Sequence, residues 1–124
     1  MSHLERVPAA TGGNYSDAVA VGPAPVRWIH VAGQIAPPPV PADVGAQAEA
    51  CFARIAELLE AQGASLSDVV AITVYVTDLA HYESFNAVRG RVFGSGRPAS
   101  AAVQVAGLLG GANIEIAAVA AVAA

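Results

Sequence analysis

Apolar and polar positions along the 124-residue chain change period several times, and each change marks an element. Residues 17–21 and 26–35 are strand-like runs joined by Gly22-Pro23-Ala24-Pro25, which predicts a hairpin. Pro37-Pro38-Pro39 and Pro41 cannot pair in a ladder, so a stiff extended loop leads into a helix. Asp43 is suited to cap that helix. Val44, Ala48, Cys51, Phe52, Ile55, Leu58 and Leu59 then fall within roughly a 120° arc at about 100° per residue, and Gly63 stops it. The run VVAITVYVT over 69–77 predicts a strand with both faces covered. It sets Val70, Ile72, Val74 and Val76 on one face and Ala71, Thr73 and Tyr75 on the other.

Asp78 caps a second helix over 79–93, with Phe85, Val88 and Val92 as its apolar stripe and Gly94-Ser95-Gly96 as its end. Residues 99–105 and 113–122 complete the pattern as strands joined through Gly107, Gly110 and Gly111. Residues 1–14 have no periodicity and read as a loose lead-in to one domain over 1–124. The order ββαβαββ predicts an α/β (α+β) two-layer sandwich, one mixed sheet with both helices on one face. The other sheet face is left bare and poor in charge, which a sheet-to-sheet contact between subunits would cover.

Composition sharpens this picture. Only 13% of residues are charged while 55% are apolar, and the mean hydropathy is +0.51, so an oligomer is expected. All six basic residues are arginines. Without lysine there is no Schiff-base chemistry and no Walker-type phosphate loop. The net charge of −4 and the scattered arginines argue against nucleic acid. The lone Cys51 cannot form an internal bridge, and no cluster has zinc-ligand spacing, so no metal is expected. With no basic start or long apolar run, the expectation is a soluble cytoplasmic protein without a membrane partner.

No dinucleotide fingerprint or nucleophile elbow occurs, so the candidate chemistry lies in polar residues set among apolar strands. Glu115 comes first, because alternation turns it away from Ile114 and Ile116. If those isoleucines meet the helices, Glu115 faces the subunit contact, where a desolvated carboxylate can handle a proton or a water. The alternative is an edge-strand glutamate in solvent. His30 shares a face with Trp28 and Ala32, as a proton carrier or aromatic wall, or else as a core histidine satisfied by the backbone. Arg97, just before Pro98, and Arg89, among Tyr82, Phe85 and Phe93, read as surface arginines with packed stems, the alternative being arginines that reach a site at the subunit contact. His3 reads as disordered, His81 as a first-turn residue and Cys51 as packing.

Seven segments in order carry a resemblance that covers nearly the whole chain. Asn14-Tyr15-Ser16-Asp17-Ala18, Val31-Ala32-Gly33-Gln34-Ile35, Val74-Tyr75-Val76-Thr77-Asp78-Leu79, Tyr82 to Asn86, Phe93, Pro98-Ala99 and Ile114-Glu115-Ile116 resemble the RidA/YjgF family of reactive intermediate deaminases. The resemblance implies a chorismate-mutase-like fold and a homotrimer that binds small molecules in clefts between subunits without a cofactor. Deaminase members hydrolyse enamines and imines such as 2-aminoacrylate to ammonia and a 2-keto acid. Their arginine, directly after the Pro-Ala pair, holds the substrate carboxylate, and Ser100 stands there in this chain.

That replacement costs an anionic substrate on the order of 2–5 kcal/mol of binding, which favours a less acidic one. Ala32 and Ala102 replace the family's cleft serine and cysteine. The resemblance makes Glu115 catalytic, with Tyr15, Ala32, Gly33, Asn86, Ser100 and Ala102 as ligand-binding residues; the alternatives are strand packing for Tyr15 and a local hydrogen bond for Asn86. Gln104 alternates onto the strand face of Ser100 and Ala102, which makes it a ligand-binding candidate near the same cleft or else an ordinary outward glutamine. Two functions follow from the resemblance: an enamine or imine hydrolase, or a non-catalytic ligand-binding or regulatory trimer that lost the reaction with the arginine.

Overall fold

A computed structural model describes residues 3–124. Eight regular elements follow in the order β1 (Leu4–Pro8), β2 (Ser16–Val21), β3 (Val26–Gln34), α1 (Val44–Glu60), β4 (Val69–Val76), α2 (Tyr82–Phe93), β5 (Ala99–Gln104) and β6 (Ile114–Ala123). The strands form one sheet in the order β1-β2-β5-β4-β6-β3. The β2–β5 and β4–β5 pairs are parallel and the others antiparallel, so the sheet is mixed, with both helices on one face.

The predicted strands and helices are present, but the hairpin expected through Gly22-Pro23-Ala24-Pro25 does not form: β1 and β5 occupy the two edges of β2, and β3 pairs instead with β6 at the far edge of the sheet. Two further differences concern the elements themselves. Leu4–Pro8, inside the stretch read as a loose lead-in, is a strand that pairs with β2 from Leu4↔Val21 to Pro8↔Ser16. Its outer edge is fixed by Arg6, whose guanidinium donates to the carbonyls of Val69, Arg97 and Ser67. Burial lowers the Arg6 pKa, and the nearby Asp68 carboxylate partly restores it. His3 is also placed, its ring nitrogen against the Ala121 carbonyl, rather than disordered. The second difference is at α2, where Asp78 caps a 3-10 turn over Leu79–His81 and the α-helix begins only at Tyr82. Gln104 completes that turn by accepting from the Leu79 N–H.

The layer between helices and sheet is mostly apolar, with Gln47 and Arg89 as buried polar exceptions. Ile55 and Leu59 of α1, Val74 and Val76 of β4, and Ile114 and Ile116 of β6 are all fully buried. Each such side chain contributes roughly 1.5–3 kcal/mol through removal from water. Phe52 joins the two helices, with Phe93 edge-on at 5.3 Å and Phe85 stacked at 6.4 Å. Cys51 lies in this layer as packing, its thiol pushed up from 9.0 to about 12, chiefly by burial and further by the Glu115 charge. The opposite sheet face has no covering layer in one chain: Ala71, Thr73 and Tyr75 are half-buried, and Trp28 is 50% exposed.

Candidate functional site

Paired residues on neighbouring strands point to the same side of a sheet. Ile72 pairs with Ser100, Val74 with Ala102 and Val76 with Gln104, so these three β5 residues face the helices. Tyr75 pairs with Glu115, which places Glu115 on the opposite, open face, as the burial of Ile114 and Ile116 requires. The sheet therefore separates Glu115 from Ser100 within one chain.

On the helix side the centre of the cluster is Arg89, only 2% exposed. The sequence reading as a surface arginine is overturned, because Tyr82, Phe85, Asn86 and Arg89 recur at helical spacing and form one inward stripe of α2. The guanidinium Nη1 donates to Ser100 Oγ at 2.8 Å, and Nη2 donates to Tyr82 OH at 2.7 Å and Asn86 Oδ1 at 2.8 Å. Phe85, Tyr15 and Tyr82 present their rings to it at 4.8, 5.5 and 5.6 Å. Among the described residues Arg89 has no ion pair, and its Nε is buried without a partner.

Tyr15 reaches this cluster from the β1–β2 loop, its hydroxyl bonded to Thr11 Oγ1 at 2.9 Å. Asn14 anchors the loop by donating to the Asn86 backbone and side-chain oxygens. Gly90 makes that approach possible, since a Cβ there would lie 2.7 Å from Asn14 Nδ2. Arg97 turns elsewhere, donating to the carbonyls of Gly94 and Gly13. It lines a small pocket of about 280 Å³ with Arg6, Tyr15 and Ser95.

On the open face Glu115 lies directly over Gly33, where any Cβ would collide with its carboxylate. Ala32, next to Gly33, is exposed. His30 is exposed too, so it is not a core histidine. With Trp28 and Ala32 it lines a groove of about 550 Å³ along the β3 edge, bounded by Arg54, Leu58 and Gln62 of α1 and the turn after it.

The residues expected to bind ligand thus separate into two groups. Tyr15, Asn86 and Ser100 are gathered around Arg89, while Ala32, Gly33 and Glu115 stand together on the far side of the sheet. Ala102 packs against the core. Gln104, at the other end of β5, holds the turn before α2. Arg89 itself was legible in the helical spacing, but its charge pointed to solvent. Among the described residues no group of three His, Cys, Asp or Glu side chains could hold a metal ion, and no helix is long and apolar enough to cross a membrane.

The family described as Endoribonuclease L-PSP matches residues 5–122. A RutC family protein of Pyrococcus abyssi is 40% identical over 113 residues, covering 87% of this chain and 86% of that one. The 2-iminobutanoate/2-iminopropanoate deaminase of Bos taurus is 38% identical over 120 residues, covering 93% of this chain and 84% of its own. The crystal structure of RidA from the Antarctic bacterium Psychrobacter sp. PAMC 21119 superposes with a TM-score of 0.74 at 35% identity, covering 98% of this chain and 100% of that one. The chain belongs to the YjgF/RidA family.

Proposed function

We propose that the chain is an enamine/imine hydrolase of the deaminase type, acting in clefts that close when copies assemble as a homotrimer. The observation that carries this reading is the division of the candidate residues between the two sheet faces. A cleft with Tyr15, Asn86 and Ser100 on one wall and Gly33 and Glu115 on the other requires two chains. The charge-poor open face, with Trp28 50% exposed, is suited to such a contact. The relative named for 2-iminobutanoate/2-iminopropanoate deamination supplies the substrate class.

The chemistry needs no cofactor. Glu115 accepts a proton from water as the water oxygen bonds to the imine carbon, and passes it to the imine nitrogen to give a carbinolamine. Glu115 then takes the carbinolamine hydroxyl proton and delivers it to the nitrogen as the C–N bond breaks, leaving a carbonyl and ammonia. Backbone amides near Gly33 would polarise the reacting group.

The test is ammonia release from freshly generated 2-aminoacrylate. The proposal expects a rate above the buffer blank that falls about 10²- to 10⁴-fold in Glu115→Gln. Rates equal to the blank overturn it in favour of a non-catalytic ligand-binding trimer, the reading favoured by the full burial of Arg89. The family description as an endoribonuclease finds no support in this chain's charge. A net −4 without lysine gives phosphates no basic face.

A further inference from the structure

Arg6 of β1 and Arg97, in the turn before β5, come together at the pocket of about 280 Å³ that Tyr15, Ser16 and Ser95 also line. Among the described residues neither guanidinium has an ion pair, whereas Arg54 and Arg91 each hold a glutamate. The partners of the two are neutral: Arg6 donates to the carbonyls of Val69, Arg97 and Ser67, and Arg97 donates to those of Gly94 and Gly13. Asp68, the carboxylate whose charge reaches Arg6, accepts instead from the Ser65 N–H at 2.9 Å.

Those carbonyls fix both side chains without cancelling their charge, so little ordering is left for a ligand to impose. A guanidinium has more N–H groups than these carbonyls occupy, and the Ser95 hydroxyl has no partner among the described residues. Burial disfavours the Arg6 charge, which an anion in the pocket would stabilise. Two guanidiniums carried by separate segments do not form the single fork that suits a carboxylate. They suit a phosphate group, which offers three terminal oxygens and a charge of about −1.5 to −2. The volume is near the lower bound of about 300 Å³ for small-molecule sites, enough for one phosphate on a small body rather than for a nucleic-acid strand.

We propose that Arg6 and Arg97 form a binding site for a single phosphate group, free or on a small ester. Tyr15 is the one side chain shared with the Arg89 cluster, where its ring centroid lies 5.5 Å from the guanidinium, so the pocket is otherwise distinct from the proposed cleft. The assignment uses neither that cleft nor turnover, and it stands or fails independently of the hydrolase reading.

The experiment titrates inorganic phosphate, glycerol 3-phosphate and acetate into the full chain at about pH 7.5, followed by NMR or calorimetry, with chloride holding the ionic strength constant. Phosphate is expected to saturate with a Kd of about 1 mM or tighter, and acetate to bind at least about tenfold more weakly. Arg97→Gln should weaken phosphate binding about tenfold or more, while Ser100→Ala, in the Arg89 cluster, should leave it within about twofold. Arg6→Gln should weaken it as well; if that variant does not fold, because Arg6 holds β1, Arg97→Gln decides. Tighter binding of glycerol 3-phosphate assigns the site to an ester and equal or weaker binding to the free anion, and either supports it. No saturation below about 20 mM, acetate binding as tightly as phosphate, a Kd unmoved by Arg97→Gln, or an equal loss in Ser100→Ala would overturn the assignment.

Discussion

Placing an arginine at position 100, where relatives of the deaminase type are expected to have one, should harm this chain rather than improve it. Ser100 Oγ lies 2.8 Å from Arg89 Nη1, so a Ser100→Arg side chain enters a space already facing a buried cation. At a separation of about 5 Å and an effective dielectric of about 20, the repulsion is about 3 kcal/mol. Combining Ser100→Arg with Arg89→Met removes it and leaves one guanidinium in place of the other. The assay is urea unfolding of the wild type, both single variants and the double variant at one protein concentration, since the proposed assembly would make stability depend on concentration. The double variant should be more stable than the summed single effects predict, by about 3 kcal/mol. Effects that add within about 0.5 kcal/mol would refute the placement of Arg89 behind Ser100.

Two further outcomes follow from local geometry. Gly33→Ala would place a Cβ 2.8 Å from Glu115 Cδ, displacing the carboxylate. The expected result is a loss of about 10²-fold in ammonia release with stability within about 0.5 kcal/mol of wild type, and unchanged turnover would separate Glu115 from the reaction. The Cys51 thiol, raised from 9.0 to about 12 in the fold, holds its proton to higher pH than in the unfolded chain. Its stabilisation is therefore complete below about pH 9 and is lost as pH rises toward about 12. Near pH 10.5 the wild type should have lost about 2 kcal/mol relative to Cys51→Ala, measured by unfolding titrations at each pH, and parallel pH profiles would contradict the burial of this thiol.

What the sequence disclosed depended on how local each determinant is. The α1 stripe and the alternation of β4 are set by neighbours a few positions apart, so periodicity predicts them directly. The outward turn of Glu115 follows equally from Ile114 and Ile116. Strand β1 escaped because five residues ending in Pro8 carry little periodicity, and it is held by pairing with β2 and by the reach of Arg6 to Val69, Ser67 and Arg97. Asp78 was expected to cap the second helix, but its side chain caps the 3-10 segment before α2 instead.

Arg89 was misread because charge ordinarily signals solvent; three aromatic rings and the Ser100, Tyr82 and Asn86 oxygens, brought from distant segments as well as from α2, reverse that preference. The separation of Ser100 from Glu115 required the strand registers, which no single run of residues encodes.

The claim that the site is built from two copies is tested most directly by subunit complementation. Tyr15→Ala removes function from one wall and Glu115→Gln from the other. Equal amounts of the two variants, unfolded together and refolded, form about one quarter of their contacts with both walls intact if copies mix at random. Ammonia release from 2-aminoacrylate should then recover to about one quarter of the wild-type rate. A mixture no more active than the two variants refolded separately would contradict a shared cleft.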